Sequence, residues 1–464
     1  MKFSNLSRKI LYYVEILQVK IISIHQWKGL IPMKASVKCI SVIVLLCVTS
    51  AFAADWPQYL GPNRDSTSTQ KGLLRTWPAD GPKVEWTVTL GRGFGGPVVK
   101  DGKVYLLDRD DKVGDNMRCF DLSSGKELWN FAYNAPGSVE FPGSRSVPAV
   151  DGNNVYSCGH NGDLYCIDIN THKPVWNKNV WTDFGGDRLP MWAITQCPLI
   201  YGDLLILASQ APQAGVVAYE KMTGNVKWST PSLGGTGYVS PSIVKVSGQD
   251  HLVMITASGG FPGRSGSGGK VVGIDPLTGK TLWEYTNWSC WIPVPSAVDA
   301  GEGRLLITGA YSAGAAMIKI EKKTDGSYGV TELYKTIEFG SHTKPPILHD
   351  GYFYVQNTTN ERSDGLVCMS MDGKIMWKTG RSPAFSKGSM ILVDGLILAS
   401  DGYRSLYLIE PDSSEFKQIA TVQLLSDVGS DRRVGETNWA PMALSDGKLL
   451  IRDQSQLKCL IVAQ

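Results

Sequence analysis

One phrase, Asp-x-x-Thr/Ser-Gly-x-x-x-Trp, recurs along this 464-residue chain and restricts it to an array of equivalent units. Asp121-Leu-Ser-Ser-Gly125-Lys-Glu-Leu-Trp129 and Asp275-Pro-Leu-Thr-Gly279-Lys-Thr-Leu-Trp283 are full copies. Glu220-Lys-Met-Thr-Gly224-Asn-Val-Lys-Trp228 carries Glu for Asp, and Asp168-Ile-Asn-Thr-His172-Lys-Pro-Val-Trp176 carries His for Gly. A shortened form ends at Trp377, and a weak copy ends near Tyr334. Trp129, Trp176, Trp228 and Trp283 lie 47, 52 and 55 residues apart, and Trp377 follows two periods later. A second landmark has the same period: an apolar run opens at Pro97, Pro148, Pro198, Pro241, Pro295, Pro346 and Pro441, with Ser389 in the seventh place. Both landmarks give eight units.

Each unit reads as four short strands. An Asp-Gly pair such as Asp101-Gly102, Asp151-Gly152 or Asp394-Gly395 joins the first two, because both positions accept positive φ. The Asp-x-x-Thr-Gly turn joins the third to an outer strand ending in Trp. Thirty-odd short strands form no flat sheet, and radial repetition removes the edges. The expected fold is all-β: an eight-bladed β-propeller of four-stranded antiparallel blades. Trp86, Trp129, Trp176, Trp228, Trp283 and Trp377 are expected to dock structurally between blades, each burying about 150–250 Å². The eighth unit ends at its third strand, and residues 83–86 mimic 126–129, so an N-terminal strand is expected to close the ring.

These Trp-ended repeats, with Trp56-Pro-Gln-Tyr-Leu-Gly-Pro-Asn-Arg64 and Gly72-Leu-Leu-Arg-Thr-Trp77 ahead of them, resemble the PQQ-like (pyrroloquinoline-quinone repeat) β-propeller superfamily in its secreted bacterial form. The likeness covers residues 55–464. It implies the fold, and it implies either a quinoprotein dehydrogenase or a non-catalytic relative such as the BamB assembly factor. A dehydrogenase would stack the quinone on Trp192, Trp288 or Trp439, hold it with Arg145 or Arg188, and coordinate Ca²⁺ through Glu436 and Asn438. The chain departs from that pattern: it has no adjacent Cys pair, no Cys-x-x-Cys-His, and little room for substrate-shaping insertions.

Residues 1–53 read as a leader. Residues 33–38 are basic, 39–48 are apolar, and Ala51-Phe-Ala53 is a small-residue cleavage site. Met33 is the expected true start. The segment from 54 to 464 is the propeller, exported to the periplasm or beyond, without a transmembrane span and monomeric. The leader holds seven Lys/Arg and one acid, leaving 39 basic and 42 acidic residues, net −3, so nucleic acid is not an expected partner. Seven cysteines remain; Cys119, Cys166, Cys368 and Cys459 share the third-strand slot and are expected to pack as small apolar groups. Cys158 and Cys166 are the one local pair to check for a disulfide.

The loops ahead of the landmark prolines gather at one channel mouth and hold most of the chemistry. The candidate ligand-binding residues are Arg92, Arg145, Arg188, Trp192, Tyr238, Trp288, Trp291, His342, Lys344, Arg381, Lys387, Arg433, Glu436, Asn438 and Trp439, with Phe94, Phe141 and Arg432 beside them. Rings and guanidinium groups suit a planar or anionic ligand, or a sugar. No catalytic residue is assigned, and the five His after the leader lack metal spacing. The Gly-rich run 259–269 precedes a strand rather than a helix, so it is not a nucleotide loop. The reading is a binding scaffold for an envelope protein, glycan or small ligand, with no cofactor expected; the alternative is a PQQ- and Ca-dependent dehydrogenase of alcohols or aldoses. Mass spectrometry of the unprocessed product should find Met33 at the N-terminus; Met1 there would refute that start.

Overall fold

A computed structural model describes residues 55–259, 268–358, 363–426 and 438–464. The leader, most of the Gly-rich run, Arg432, Arg433 and Glu436 lie outside the described residues. The described chain forms eight sheets whose strands hydrogen-bond in chain order. Blade 1 contains Val98–Lys100, Lys103–Asp110, Gly114–Asp121 and Glu127–Ala132. Blades 2 to 7 begin at Ala149, Leu199, Ser242, Val298, Ile347 and Met390. A single 3-10 turn, Thr182–Phe184, is the only helical element among the described residues, and none of their helices is long and apolar enough to cross a membrane.

Burial follows from position in the blade. Second strands such as Asn154–Cys158 and Leu204–Leu207 are buried throughout, which is why they read as continuous apolar runs. Outer strands are mostly exposed: Val84–Thr89 buries only Trp86, and Glu127–Ala132 only Trp129. The seven described cysteines are buried and unbonded, Cys158 and Cys166 included. At Asp101-Gly102 both turn residues are left-handed, with φ of 49° and 70°. Blade 2 differs: Asp151 ends its strand and Gly152 (φ 53°) takes the first turn position, a place that glycine tolerates without a Cβ clash.

The repeated Trp and Gly meet across the seams. Trp86, in the outer strand of blade 8, donates its indole N–H to Leu122 O of the blade 1 turn at 2.9 Å. Trp176 donates to Lys221 O at 3.0 Å, Trp228 to Pro276 O at 3.2 Å and Trp377 to Asp412 O at 2.9 Å, each in the next blade. Gly224 is held to glycine twice over: its φ is 72°, and a Cβ there would stand 2.7 Å from Trp176. In blade 2 His172 adopts φ 60° instead, and Trp129 stacks on its ring at 5.2 Å. Tyr334 takes the Trp role between blades 5 and 6, lying where a Cβ on Gly373 would go. Trp283 departs from the pattern expected of it. Its N–H turns to His251 Nδ1 of its own blade at 3.0 Å, because the blade 5 turn is a different one, built on Lys323 and Gly326.

Two devices close the molecule. Val84–Thr89 pairs antiparallel with Gln456–Ile461, placing Trp86 opposite Cys459, so the first regular strand completes the last blade. Ahead of it, residues 56–75 form a strap across the axis. Trp56 exchanges two backbone hydrogen bonds with Val99 of blade 1, and Val150 of blade 2 donates to Pro57 O. Arg64 reaches Pro198 O and Pro241 O of blades 3 and 4 at 3.0 and 3.2 Å. Thr67–Ser68 adds a parallel strand to Leu392–Val393 of blade 7. Asp394 then accepts from the backbone N–H of Gly72 and Leu73 and from Arg75. Trp176→Phe should lower stability by about 1 kcal/mol for the lost hydrogen bond, and Trp176→Ala by more, since the half-buried ring's packing on Tyr219 and Gly224 goes too; chemical denaturation measures both.

Candidate functional site

The strap makes the channel blind, and above it lies a cavity of about 320 Å³ with Tyr59 of the strap among its lining residues. That volume falls in the range of small-molecule sites, about 300–1,000 Å³. Its walls come from the loops leading into successive blades: Phe94, Phe141, Arg145, Trp192, Tyr238, His342, Lys344, Lys387 and Trp439. Loops between strands enter the funnel here because a propeller directs its inner-strand approaches toward the axis. Deeper in, Cys197 and Ser240 belong to a belt around the axis: Cys197 N–H donates to Ser240 Oγ at 2.9 Å, and Cys197 Sγ accepts Val147 N–H at 3.3 Å.

The aromatic side chains are preorganised. Trp439 lies 5.4 Å from Phe94 and 5.5 Å from Phe141, ring centre to ring centre. Trp192 sits 5.4 Å from Tyr238, whose hydroxyl accepts the Trp192 backbone N–H. Phe141 (φ 59°), Ala193 beside Trp192 (φ 57°) and Tyr311 (φ 56°) hold left-handed backbone. That conformation costs an L-residue about 1–2 kcal/mol, and such strain collects where a binding geometry is imposed.

Three cations share the walls, and among the described residues no Asp or Glu lines them. Arg145 donates to Gly143 O at 3.0 Å, to Glu140 O at 2.9 Å and to Phe141 O, and lies over the Phe94 ring. Burial pushes its pKa down to about 10. Lys344 donates to Trp439 O, to Lys387 O at 3.2 Å and to Thr343 Oγ1 at 3.3 Å. Burial, then repulsion from Lys387, brings its pKa down to about 7. Lys387 sits 4.3 Å above the Trp439 ring, and burial lowers its pKa to about 8. The indole N–H groups of Trp192 and Trp439 are buried with no acceptor among the described residues. The cavity therefore offers donors and positive charge against apolar rings, which suits an anion with a flat body.

Seven of the candidate residues converge on this cavity: Arg145, Trp192, Tyr238, His342, Lys344, Lys387 and Trp439. Arg92, Arg188 and Arg381 are exposed and line none of it. Trp288 is buried and donates to Ala313 O at 3.0 Å, a packing role. Trp291 stands behind the wall, edge-on to Tyr311 at 5.2 Å. Asn438 is buried and donates to Tyr403 O. Arg433 and Glu436 lie outside the described residues. Sequence reasoning missed Tyr59 in the strap and Tyr311, which sits on a loop between second and third strands. It also missed the buried Arg109–Asp115 pair, 2.7 Å apart. Asp115 accepts Ser144 Oγ at 2.7 Å, which pins the neighbour of Arg145.

Fold and site define a PQQ-like propeller with a blind, donor-lined axial cavity. Residues 113–379 match the family described as "Outer membrane protein assembly factor BamB", and the chain belongs to that family. It is similar to quinoprotein alcohol dehydrogenase PedH of Pseudomonas putida, 30% identical over 154 residues, which is 31% of this chain and 24% of that protein. It is also similar to outer membrane protein assembly factor BamB of Shewanella oneidensis, 22% identical over 218 residues, 44% of this chain and 49% of that one. The chain thus spans a quarter to a half of the length of these curated relatives. Among solved structures, a europium-containing methanol dehydrogenase superposes with a TM-score of 0.61 at 14% identity, covering 87% of this chain and 88% of that one, which shows the fold alone.

The depressed lysines carry a stability signature. Unfolded, both would keep their protons to about pH 10.4; folded, they release them near 7 and 8. The unfolded state then binds more protons across pH 7–10, so these two groups raise stability as pH rises through that window. Lys344→Met should flatten the rise in denaturation midpoint between pH 7 and 10; an unchanged slope would contradict the assignment.

Proposed function

We propose that this protein is an exported binding protein whose axial cavity takes a planar, anionic small molecule. The observation that carries the reading is the donor excess: Arg145, Lys344, Lys387 and two indole N–H groups unpartnered among the described residues surround an aromatic cavity whose described lining side chains include no carboxylate. A charge-assisted hydrogen bond to each buried cation contributes about 1.5–3 kcal/mol. Export to the periplasm or beyond is supported by the basic–apolar leader, its Ala-x-Ala site, and the outer-membrane relative. Binding is the role that this donor excess supports most directly.

A second reading, a quinoprotein dehydrogenase, is favoured by the same rings and cations and by the names of several relatives. Pyrroloquinoline quinone is itself a planar polycarboxylate, and Arg145, Lys344, Lys387, Trp192 and Trp439 suit its ring and carboxylates. The described residues do not carry the metal half of that chemistry: Ca²⁺ takes six to eight oxygen ligands, while among the described residues no carboxylate lines the cavity and no acidic metal cluster is present, Glu436 lying outside them.

Calorimetry with naphthoate, naphthylmethylammonium and pyrroloquinoline quinone with Ca²⁺ separates the readings. Naphthoate should bind and the ammonium should not. Lys387→Met should cost on the order of ten- to a hundredfold in affinity, the loss of one charged hydrogen bond. Tight quinone binding that needs Ca²⁺ and reduces dye with an alcohol would replace this reading with the second. Equal binding of both naphthalene ligands would overturn it, as would capture of an envelope protein or glycan without any aromatic-anion binding.

A further inference from the structure

The cavity holds two lysines, and their amines differ in a way that anion binding does not require. Lys344 is committed: its amine donates to Trp439 O, Lys387 O and Thr343 Oγ1, three oxygens for three N–H bonds. Lys387 is not. Its amine lies 4.3 Å over the Trp439 ring, with no oxygen acceptor among the described residues. A lysine in an apolar, ring-lined site beside a second cation is the setting that turns an ammonium into a nucleophilic amine. Resting on the anion-binding reading, we propose that Lys387 captures an aromatic aldehyde or ketone bearing a carboxylate as a reversible imine, with Arg145 supplying the charge that holds the carboxylate.

The step balances without an oxidant. The unprotonated Lys387 Nζ adds to the carbonyl carbon, giving a carbinolamine. The carbonyl oxygen then leaves as water with the two amine hydrogens, and a C=N bond joins ligand to lysine. Burial supports the chemistry by holding the Lys387 pKa near 8, so a substantial fraction of the amine is unprotonated at mildly alkaline pH. Water removal from a ring-lined cavity favours the imine over its hydrolysis. The ring of such a ligand would lie among Phe94, Phe141 and Trp439, which already pack at stacking distance.

The test is reductive trapping. The full-length mature protein is incubated with 4-formylbenzoate and cyanoborohydride, and the adduct is located by peptide mass spectrometry. One adduct at Lys387 is expected, suppressed by excess benzoate. Lys387→Arg keeps the charge and the ring contact but forms no imine. Its trapping should fall to background while its denaturation midpoint stays near that of the parent protein. Adducts spread over surface lysines, or trapping unchanged in Lys387→Arg, would overturn the inference. Benzoate binding with no trapping at Lys387 removes this inference and leaves anion binding standing; absence of benzoate binding removes both.

Discussion

A propeller is a ring with two chain ends, and nothing covalent joins them. Everything at the axis depends on how that gap is closed. Here the closure is the pairing of Val84–Thr89 with Gln456–Ile461, reinforced by Trp86 reaching Leu122 O across the next seam. Seams 2–3, 3–4 and 6–7 repeat the indole-to-carbonyl contact, and His172 and Tyr334 supply substitutes at seams 1–2 and 5–6, so much of the blade spacing is held from outside. The channel width, and with it the separation of side chains on opposite walls, follows from that spacing. The segment ahead of the closing strand does a second job. By crossing beneath the axis, it converts an open channel into a floored cavity, and its Tyr59 becomes part of the lining.

The cavity places charge where it is expensive. Desolvation works against Arg145, Lys344 and Lys387 and lowers all three pKa values. Two of them are compensated by backbone carbonyls rather than by carboxylates. A carbonyl satisfies the donor without cancelling the charge, so a net positive potential survives at the walls. A carboxylate partner would have neutralised it. The left-handed backbone at Phe141, Ala193 and Tyr311 points the same way, since such conformations persist only where surrounding structure imposes them. The cavity's shape is thus set by the chain itself, which would reduce the ordering cost for the proposed ligand.

The sequence made the ring legible because repetition averages over local noise. Trp and Pro landmarks at one period imply equal sheets regardless of any single residue. Where a unit deviated, periodicity misled: Trp283 has the right position but faces a remodelled turn, so its N–H stays within its own blade. The site was half legible. Loop position identifies which residues stand near the mouth, and Lys344, Lys387 and Trp439 follow from it. Loop position does not say which way a side chain turns. Arg188 and Arg381 sit in equivalent loops and face solvent, while Trp288 turns into the core. The strap was opaque for a different reason. It has no period, and its path is set by hydrogen bonds to residues scattered over blades 1 to 4 and 7, such as those from Arg64 to Pro198 and Pro241.

The central claim is that a floored axial cavity with uncancelled positive charge is the working part of this molecule. A crystal structure of the mature protein soaked with an aromatic carboxylate tests it most directly. The account predicts the ring among Phe94, Phe141 and Trp439 and the carboxylate within hydrogen-bond distance of Lys344, Lys387 or Arg145. A channel open through the strap, or a carboxylate bound away from these cations with the cavity empty, would contradict it.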